Sequence, residues 1–279
     1  YMRIITLTTD FGNKDYFVSA VKAALISEIK KVNIISISHE INPYNITEAS
    51  YILKNSYKLF PKGTIHIIGV DSELNKENKH LAIFYDEHYF IGSDNGIFSL
   101  VFDGKTPQNI YEINIHDKII TSFPVLDVFV NVAGHISRNG KLEIIGKKIN
   151  SILQLTNLNP VISSKMNKIL GSVIYIDNYG NVITNITEKI FNDIGKSRNF
   201  TVIARSVKFN KIYKNYSEAI NFNIPKERRN EDGKKIAIFN TAGYLELAIY
   251  KSNPSTVGSA SSLFGLNYRD SVTITFDDI

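Results

Sequence analysis

Arg3-Ile4-Ile5-Thr6-Leu7-Thr8-Thr9 is a β-branched run that breaks at Asp10-Phe11-Gly12. A run of this kind reads as a buried strand. Beyond the break, Val18, Val21, Leu25 and Ile29 recur at helical spacing, and Asp15 stands where it can cap the helix start. Residues 32–37 read as a second strand. Asn45-Ile46-Thr47-Glu48 has the form of a capping box opening a helix that runs to about residue 59. After the turn Pro61-Lys62-Gly63, residues 64–70 form a third strand that ends at Asp71. Strand, helix, strand, helix, strand predicts an α/β unit, a mostly parallel sheet flanked by helices with right-handed crossovers.

Further along, residues 80–85 and 89–92 form a hairpin around Asp86-Glu87-His88, and Ser93-Asp94-Asn95-Gly96 is a turn. Residues 109–113 read as a strand. Residues 127–136 read as a helix capped by Asp127 and ended by Asn139-Gly140. The composition shifts at Asn157-Leu158-Asn159-Pro160. From there short β-rich runs dominate, at 171–176, 182–186, 201–204, 234–239, 245–248 and 271–276, with a short helix at 189–194 and a long polar loop over 213–232. They predict a second, all-β, barrel-like domain. The expected division is an N-terminal domain over 2–160 and a C-terminal domain over 168–279.

The C-terminal half centres on Ile174-Tyr175-Ile176-Asp177-Asn178-Tyr179-Gly180-Asn181-Val182-Ile183-Thr184-Asn185-Ile186. Two strands flank a tight turn in which Gly180 can take φ > 0. The corner offers a carboxylate (Asp177), a ring (Tyr179) and an amide (Asn181), a set suited to a ligand with a cation, a flat base and hydroxyls. It also matches an ordinary solvated hairpin turn.

Composition narrows the function. The chain has 279 residues, 43% apolar and 21% charged, which is ordinary for a globular protein. Cysteine is absent, so disulfides and thiolate metal sites are excluded, and a cytoplasmic setting is expected. The net charge of +5 is not gathered into one long basic tract. Lys226-Glu227-Arg228-Arg229 and Gly233-Lys234-Lys235 read as solvated loops, so no nucleic-acid partner is expected. No apolar run reaches the ~18–20 residues of a membrane span, and no membrane partner is expected. Tyr1 precedes Met2, which is expected to be the natural start, and no secretory leader is expected.

Ligands of open α/β sheets sit beyond the carboxyl ends of the strands. Asp10 and Asp71 stand at such ends, Asp15 lies near the first, and Tyr44 follows the second strand. No glycine-rich phosphate cradle follows the first strand. His39, His66, His80, His88, His116 and His135 lack zinc-type spacing, and there is no Gly-x-Ser-x-Gly nucleophile turn. The residues fit a small-molecule site gripped by carboxylates and aromatics, without a metal or a serine nucleophile.

Four ordered motifs then carry a resemblance. Thr8-Thr9-Asp10-Phe11-Gly12, Ser38-His39-Glu40-Ile41, Phe90-Ile91-Gly92-Ser93-Asp94-Asn95-Gly96 and the corner from Asp177 to Ile186 resemble the S-adenosyl-L-methionine (SAM) hydroxide adenosyltransferases, or SAM hydrolases. These are related to the SAM-dependent fluorinases and chlorinases. Asn240-Thr241-Ala242-Gly243-Tyr244-Leu245-Glu246 and residues 265–272 extend the likeness to nearly the whole chain.

The resemblance implies a homotrimer with sites between subunits. It also implies in-line attack on the ribose 5′-carbon of SAM, with methionine leaving; SAM is the substrate and no cofactor is needed. It assigns Asp10 to the ribose hydroxyls, Tyr44 to a cover over the ribose, and Asp15, Asp177 and Thr241 to the methionine end. Tyr179 would stack on adenine and Asn181 would bond its edge. Phe123 would lie over the reacting carbon, with Asp71 at the nucleophile.

The chain also departs from the pattern. Where family hydrolases carry Asp-Pro-Gly-Val-Gly and an arginine pair, this chain has Asp71-Ser72-Glu73-Leu74-Asn75-Lys76-Glu77-Asn78-Lys79-His80. The family arginine falls on Asn78 and the family histidine on Pro124. Asp71 is retained, and Lys79 or His80 is the expected substitute in handling water. A SAM- or adenosine-binding protein without turnover is the alternative. Halide chemistry is the third reading, disfavoured because a carboxylate ~4 Å from a halide repels it by about 4 kcal/mol at an effective dielectric of ~20.

Overall fold

The computed structural model describes residues 2–115, 121–229 and 231–278, so His116 lies outside the described residues. The chain divides into two compact units, one through Asn157 and one from Leu158.

The first unit runs β1 (Arg3–Thr9), α1 (Phe17–Glu28), β2 (Val32–Ser38), α2 (Ile46–Lys54), β3 (Ile65–Gly69), β4 (His80–Tyr85), β5 (His88–Ser93), α3 (Ile97–Val101), β6 (Asn109–Ile113), α4 (Val130–Ser137) and β7 (Gly146–Ile149). Its seven-stranded sheet has the order β2-β1-β3-β5-β4-β6-β7. β1 runs parallel to β2 and β3, and β3 to β5; the hairpin strand β4 turns the far side antiparallel. One face buries Ile5, Leu7, Ile67 and Ile91 against Val21 and Leu25 of α1 and Ala133 of α4. The other buries Ile68, Ile83 and Phe90 against Ala49 and Leu53 of α2 and Phe98 of α3. β3 sends Ile67 to the first face and Ile68 to the second, so it is covered on both sides.

Three helix starts differ from the sequence expectation. α1 opens at Tyr16 with no side-chain cap, and Asp15 is exposed. Asn45 does cap α2, accepting from the Glu48 N–H at 3.1 Å. The return half of the box is missing, because the Glu48 carboxylate takes the Asn42 N–H at 3.1 Å and the Asn45 N–H bonds the Asn42 carbonyl. α2 ends at Lys54, and the remaining turn, Tyr57–Leu59, is a separate 3₁₀ segment. Asp127 does not cap a helix. Pro124 precedes the first turn with φ −58°, preset by its ring, and Asp127 sits inside a π-turn, Val125–Phe129, that runs into α4.

The second unit runs β8 (Val161–Ile162), β9 (Lys168–Ile176), β10 (Val182–Thr187), α5 (Glu188–Gly195), β11 (Phe200–Ala204), β12 (Val207–Phe209), β13 (Lys235–Phe239), β14 (Tyr244–Ile249), α6 (Ala260–Phe264) and β15 (Ser271–Phe276). All its strand pairings are antiparallel, in the order β12-β11-β15-β9-β10-β14-β13, with β8 on β9. The sheet curls into a barrel-like form around Val173, Val182, Ile186, Val202, Leu247 and Ile274. The stretch expected as a loop over 213–232 holds two 3₁₀ turns, Tyr216–Ala219 and Lys226–Arg228. α6 was not expected; its box joins two serines, Ser259 and Ser262, in place of the usual acidic partner. Among the described residues no helix is long and apolar enough to cross a membrane.

Candidate active site

In the first unit the polar residues gather at the carboxyl ends of β1 and β3. These strands are parallel neighbours, with Thr9 opposite Gly69 and the Asp10 N–H on the Gly69 carbonyl at 3.3 Å. The pairing brings Asp71 close enough for its charge to bear on Asp10. Asp10 Oδ2 accepts the Tyr44 N–H at 2.9 Å. Burial pushes the Asp10 carboxyl above the usual range; the N–H groups of Tyr44, Asp10 and Asp71 pull it back, and the Asp71 charge adds to the rise. Tyr44 has φ +63° and its ring is 74% exposed. Its backbone is therefore tied to Asp10 while its ring stands in solvent.

His39 braces this end of the sheet. Its Nδ1 pairs with Thr9 Oγ1 at 2.8 Å, its Nε2 with Ser36 Oγ at 2.7 Å, and its carbonyl accepts the Gly12 N–H at 2.7 Å. Burial, helped by the charge of Lys22 and opposed by Glu40, lowers its pKa. A neutral ring bound on both nitrogens ties the end of β1, just before Asp10, to β2.

Asp71 holds a left-handed backbone, φ +47°, costly for most residues but accessible to Asp and Asn. Two amides hold it there. Asn78 Nδ2 donates to the Asp71 carbonyl at 2.9 Å and the Glu73 carbonyl at 3.0 Å; Asn95 Nδ2 donates to the Val70 and Asp71 carbonyls at 3.0 and 3.3 Å. The residue at the family's arginine position is thus a loop brace. His80 is fully buried, its Nε2 on the Ser72 carbonyl at 2.8 Å and its ring edge-on to Phe129. The Lys79 ammonium pairs with Glu112 of β6 at 2.9 Å. His80 thus supports the loop that carries Asp71, and Lys79 points to the neighbouring strand.

Phe11, Phe17 and Phe123 form an edge-to-face trio with centroids 5.4–6.1 Å apart, an apolar cluster that begins at the residue after Asp10. Pro124 follows directly and offers no donor. Asp15 is exposed on the approach to α1.

In the second unit the Asp177 corner closes on itself. Asp177 Oδ1 accepts the N–H groups of Tyr179 and Asn181 at 2.9 and 2.8 Å, and Oδ2 accepts Asn181 Nδ2 at 3.0 Å. Three of about four acceptor sites on the carboxylate are filled, leaving roughly one for a ligand. Gly180 has φ +72°, and a Cβ there would lie 2.2 Å from Ser259 Oγ. Gly180→Ala is expected to cost about 2 kcal/mol or more, read as a lowered midpoint in urea, with Gly243→Ala (φ +78°, open space) as the strain-only control.

Tyr179, Asn181, Tyr216 and Tyr250 line a pocket of about 330 Å³. Thr241 is exposed at the tip of a tight turn. There Asn240 Oδ1 accepts the Ala242 and Tyr244 N–H groups, both at 3.1 Å, and Gly243 has φ +78°. Sequence reasoning did not place Tyr216, which lies in the aperiodic stretch, nor the bracing role of Asn78 and Asn95. Among the described residues no group of three His, Asp or Glu side chains is arranged to hold a metal.

The α/β unit carries neighbouring aspartates at its strand ends, and the barrel-like unit carries a tyrosine-lined pocket. The SAM hydroxide adenosyltransferase N-terminal domain matches residues 5–146 and the C-terminal domain of the same name matches 171–273. The chain belongs to the SAM hydroxide adenosyltransferase family. An (R)-S-adenosyl-L-methionine hydrolase from Methanocaldococcus jannaschii is 30% identical, with 99% of each chain covered. A fluorinase from Actinopolyspora mzabensis is 20% identical over 88% of this chain and 90% of its own. A crystal structure described as an uncharacterized conserved protein from Thermotoga maritima superposes with TM-score 0.80 at 26% identity, covering 98% of this chain and 99% of that one.

Proposed function

We propose that this protein hydrolyses SAM to adenosine and L-methionine. Water attacks the ribose 5′-carbon opposite the sulfonium. The new C–O bond forms as the C–S bond breaks, methionine leaves as a neutral thioether, and the water gives up one proton. The sulfonium needs no acid to leave, so the barrier falls chiefly through alignment of water, carbon and sulfur. Asp71 orients the water and takes its proton. Asp10 binds the ribose hydroxyls through charge-assisted hydrogen bonds, and Tyr44 covers the sugar. Tyr179 and Asn181 receive the adenine; Asp15, Asp177 and Thr241 hold the amino-acid end; Phe123 closes over the reacting carbon. His80 acts through the loop that presents Asp71, whereas Lys79 is held on Glu112 of the neighbouring strand.

The observation that carries this reading is the Asp10–Asp71 pair on adjacent strand ends. A second carboxylate at the nucleophile position suits water and opposes halide. Neither unit holds all the groups required, and self-association as a homotrimer with sites between subunits is part of the proposal. We place the reaction in the cytoplasm.

The test is chromatography of SAM incubated with the protein, with and without chloride. Adenosine and methionine in equal amounts, unaffected by chloride, are expected. A 5′-chloro nucleoside would overturn the hydrolase in favour of halide chemistry. Saturable SAM binding without any product would favour a binding protein, the reading supported by Asn78 serving as a brace and by Pro124.

A further inference from the structure

Glu246 is out of place in its strand. β14 reads Tyr-Leu-Glu-Leu-Ala-Ile, and Glu246 lies mid-strand, paired with Ile183 of β10 and Ile238 of β13. It is 4% exposed. A buried carboxylate is unfavourable against an apolar side chain of similar size unless its oxygens are engaged. Here both are. Oε1 accepts the Tyr216 hydroxyl, and Oε2 accepts Asn240 Nδ2 at 3.3 Å.

The two partners belong to separate parts of the site. Tyr216, on the 3₁₀ turn Tyr216–Ala219, forms a wall of the pocket shared with Tyr179 and Asn181. Asn240 builds the turn that presents Thr241. Asp177 is close enough for its charge to reach both Glu246 and Tyr216. Burial raises the Glu246 carboxyl pKa, the two hydrogen bonds oppose that rise, and Asp177 adds to it.

We infer that Glu246 is a positioning residue that fixes Tyr216 on the nucleoside wall with one oxygen and the Thr241 turn with the other, so that one buried side chain aligns the subsites for both ends of the ligand. The inference rests on the functional reading above. It explains a charge inside an apolar strand, which folding alone does not require.

The experiment compares wild type, Glu246→Leu, Tyr216→Phe and Asn240→Ala. It reads adenosine affinity by titration calorimetry, KM and kcat for SAM by product assay, and thermal melting by circular dichroism. Glu246→Leu keeps the packing and removes both anchors. It is expected to melt at or above the wild-type temperature, to weaken adenosine about tenfold or more, and to raise KM more than it lowers kcat. Tyr216→Phe is expected to weaken adenosine several-fold. Asn240→Ala is expected to raise KM for SAM while leaving adenosine within twofold.

Wild-type affinities in a folded Glu246→Leu overturn the inference and leave the functional reading intact. If that variant does not fold, Tyr216→Phe decides: unchanged adenosine affinity overturns the inference. A wild-type protein that binds neither adenosine nor SAM overturns the functional reading and the inference with it.

Discussion

Asp71→Asn is expected to lower kcat for SAM hydrolysis by about 10² or more while leaving KM within a few-fold. Asparagine suits the position for a physical reason. At φ +47° an alanine would be strained, whereas Asn tolerates the left-handed region as Asp does. The braces from Asn78 and Asn95 act on main-chain carbonyls, so they survive the substitution. What is lost is the charge that receives the proton. Removing it also removes one of the influences that raise the Asp10 pKa, so ribose binding by Asp10 is not weakened. Single-turnover kinetics on SAM checks this. Full activity in Asp71→Asn would take the proton step away from Asp71. Loss confined to KM would make Asp71 a binding group.

The second large effect concerns stability in acid. His66 is fully buried, with Nδ1 on Thr6 Oγ1 at 2.7 Å and Nε2 on His88 Nδ1 at 3.1 Å. Phe90 stacks on His66, and Tyr57 meets both histidines edge-on. Facing this pair are Asp86 and Glu87 in the β4–β5 turn, which bear on His88, and the Tyr57 hydroxyl, bonded to Asp86 at 3.2 Å. Burial, aided by His88, pushes His66 down to about 3. Burial also lowers His88, against the pull of Asp86 and Glu87. The folded chain therefore refuses protons that the unfolded chain accepts at its ordinary value near 6.5.

Stability is accordingly full above about pH 7.5 and falls as pH drops through 6.5 toward 3. By pH 4.5 the loss from His66 alone is about 2–3 kcal/mol. Asp10, Asp94 and Glu246, raised by burial, act with the opposite sign, because the folded chain takes their protons first. The comparison is therefore made with His66→Gln, which cannot charge. Urea midpoints from pH 7.5 to 4.5 should decline steeply in wild type and less in the variant. Parallel slopes would show that this pair does not govern acid sensitivity.

The local chemistry of the chain was legible in its order of residues. The β-branched runs at 3–9 and 64–70 marked buried strands. Asp10 and Asp71 stood out as candidates because open α/β sheets present ligands beyond the carboxyl ends of their strands, and the Asp177–Asn181 corner because its turn combines a carboxylate, a ring and an amide. The Asn45 cap was legible, and Asp15 and Asp127 were over-read as caps. A capping side chain is decided by whether the turn behind it faces the right way, and at α4 Pro124 had already set that turn.

Only the tertiary structure decided the rest. It paired the end of β1 with the end of β3, which makes two distant aspartates one electrostatic unit. It turned Asn78 inward to hold the Asp71 carbonyl and His80 into the core to hold the Ser72 carbonyl, so the far end of the loop after β3 fixes its beginning. It also brought Tyr216, from a stretch without periodicity, onto Glu246 some thirty residues away. Sequence patterns report which faces avoid water. They carry no record of which buried donor meets which acceptor, because that depends on strand register and loop closure across the whole sheet.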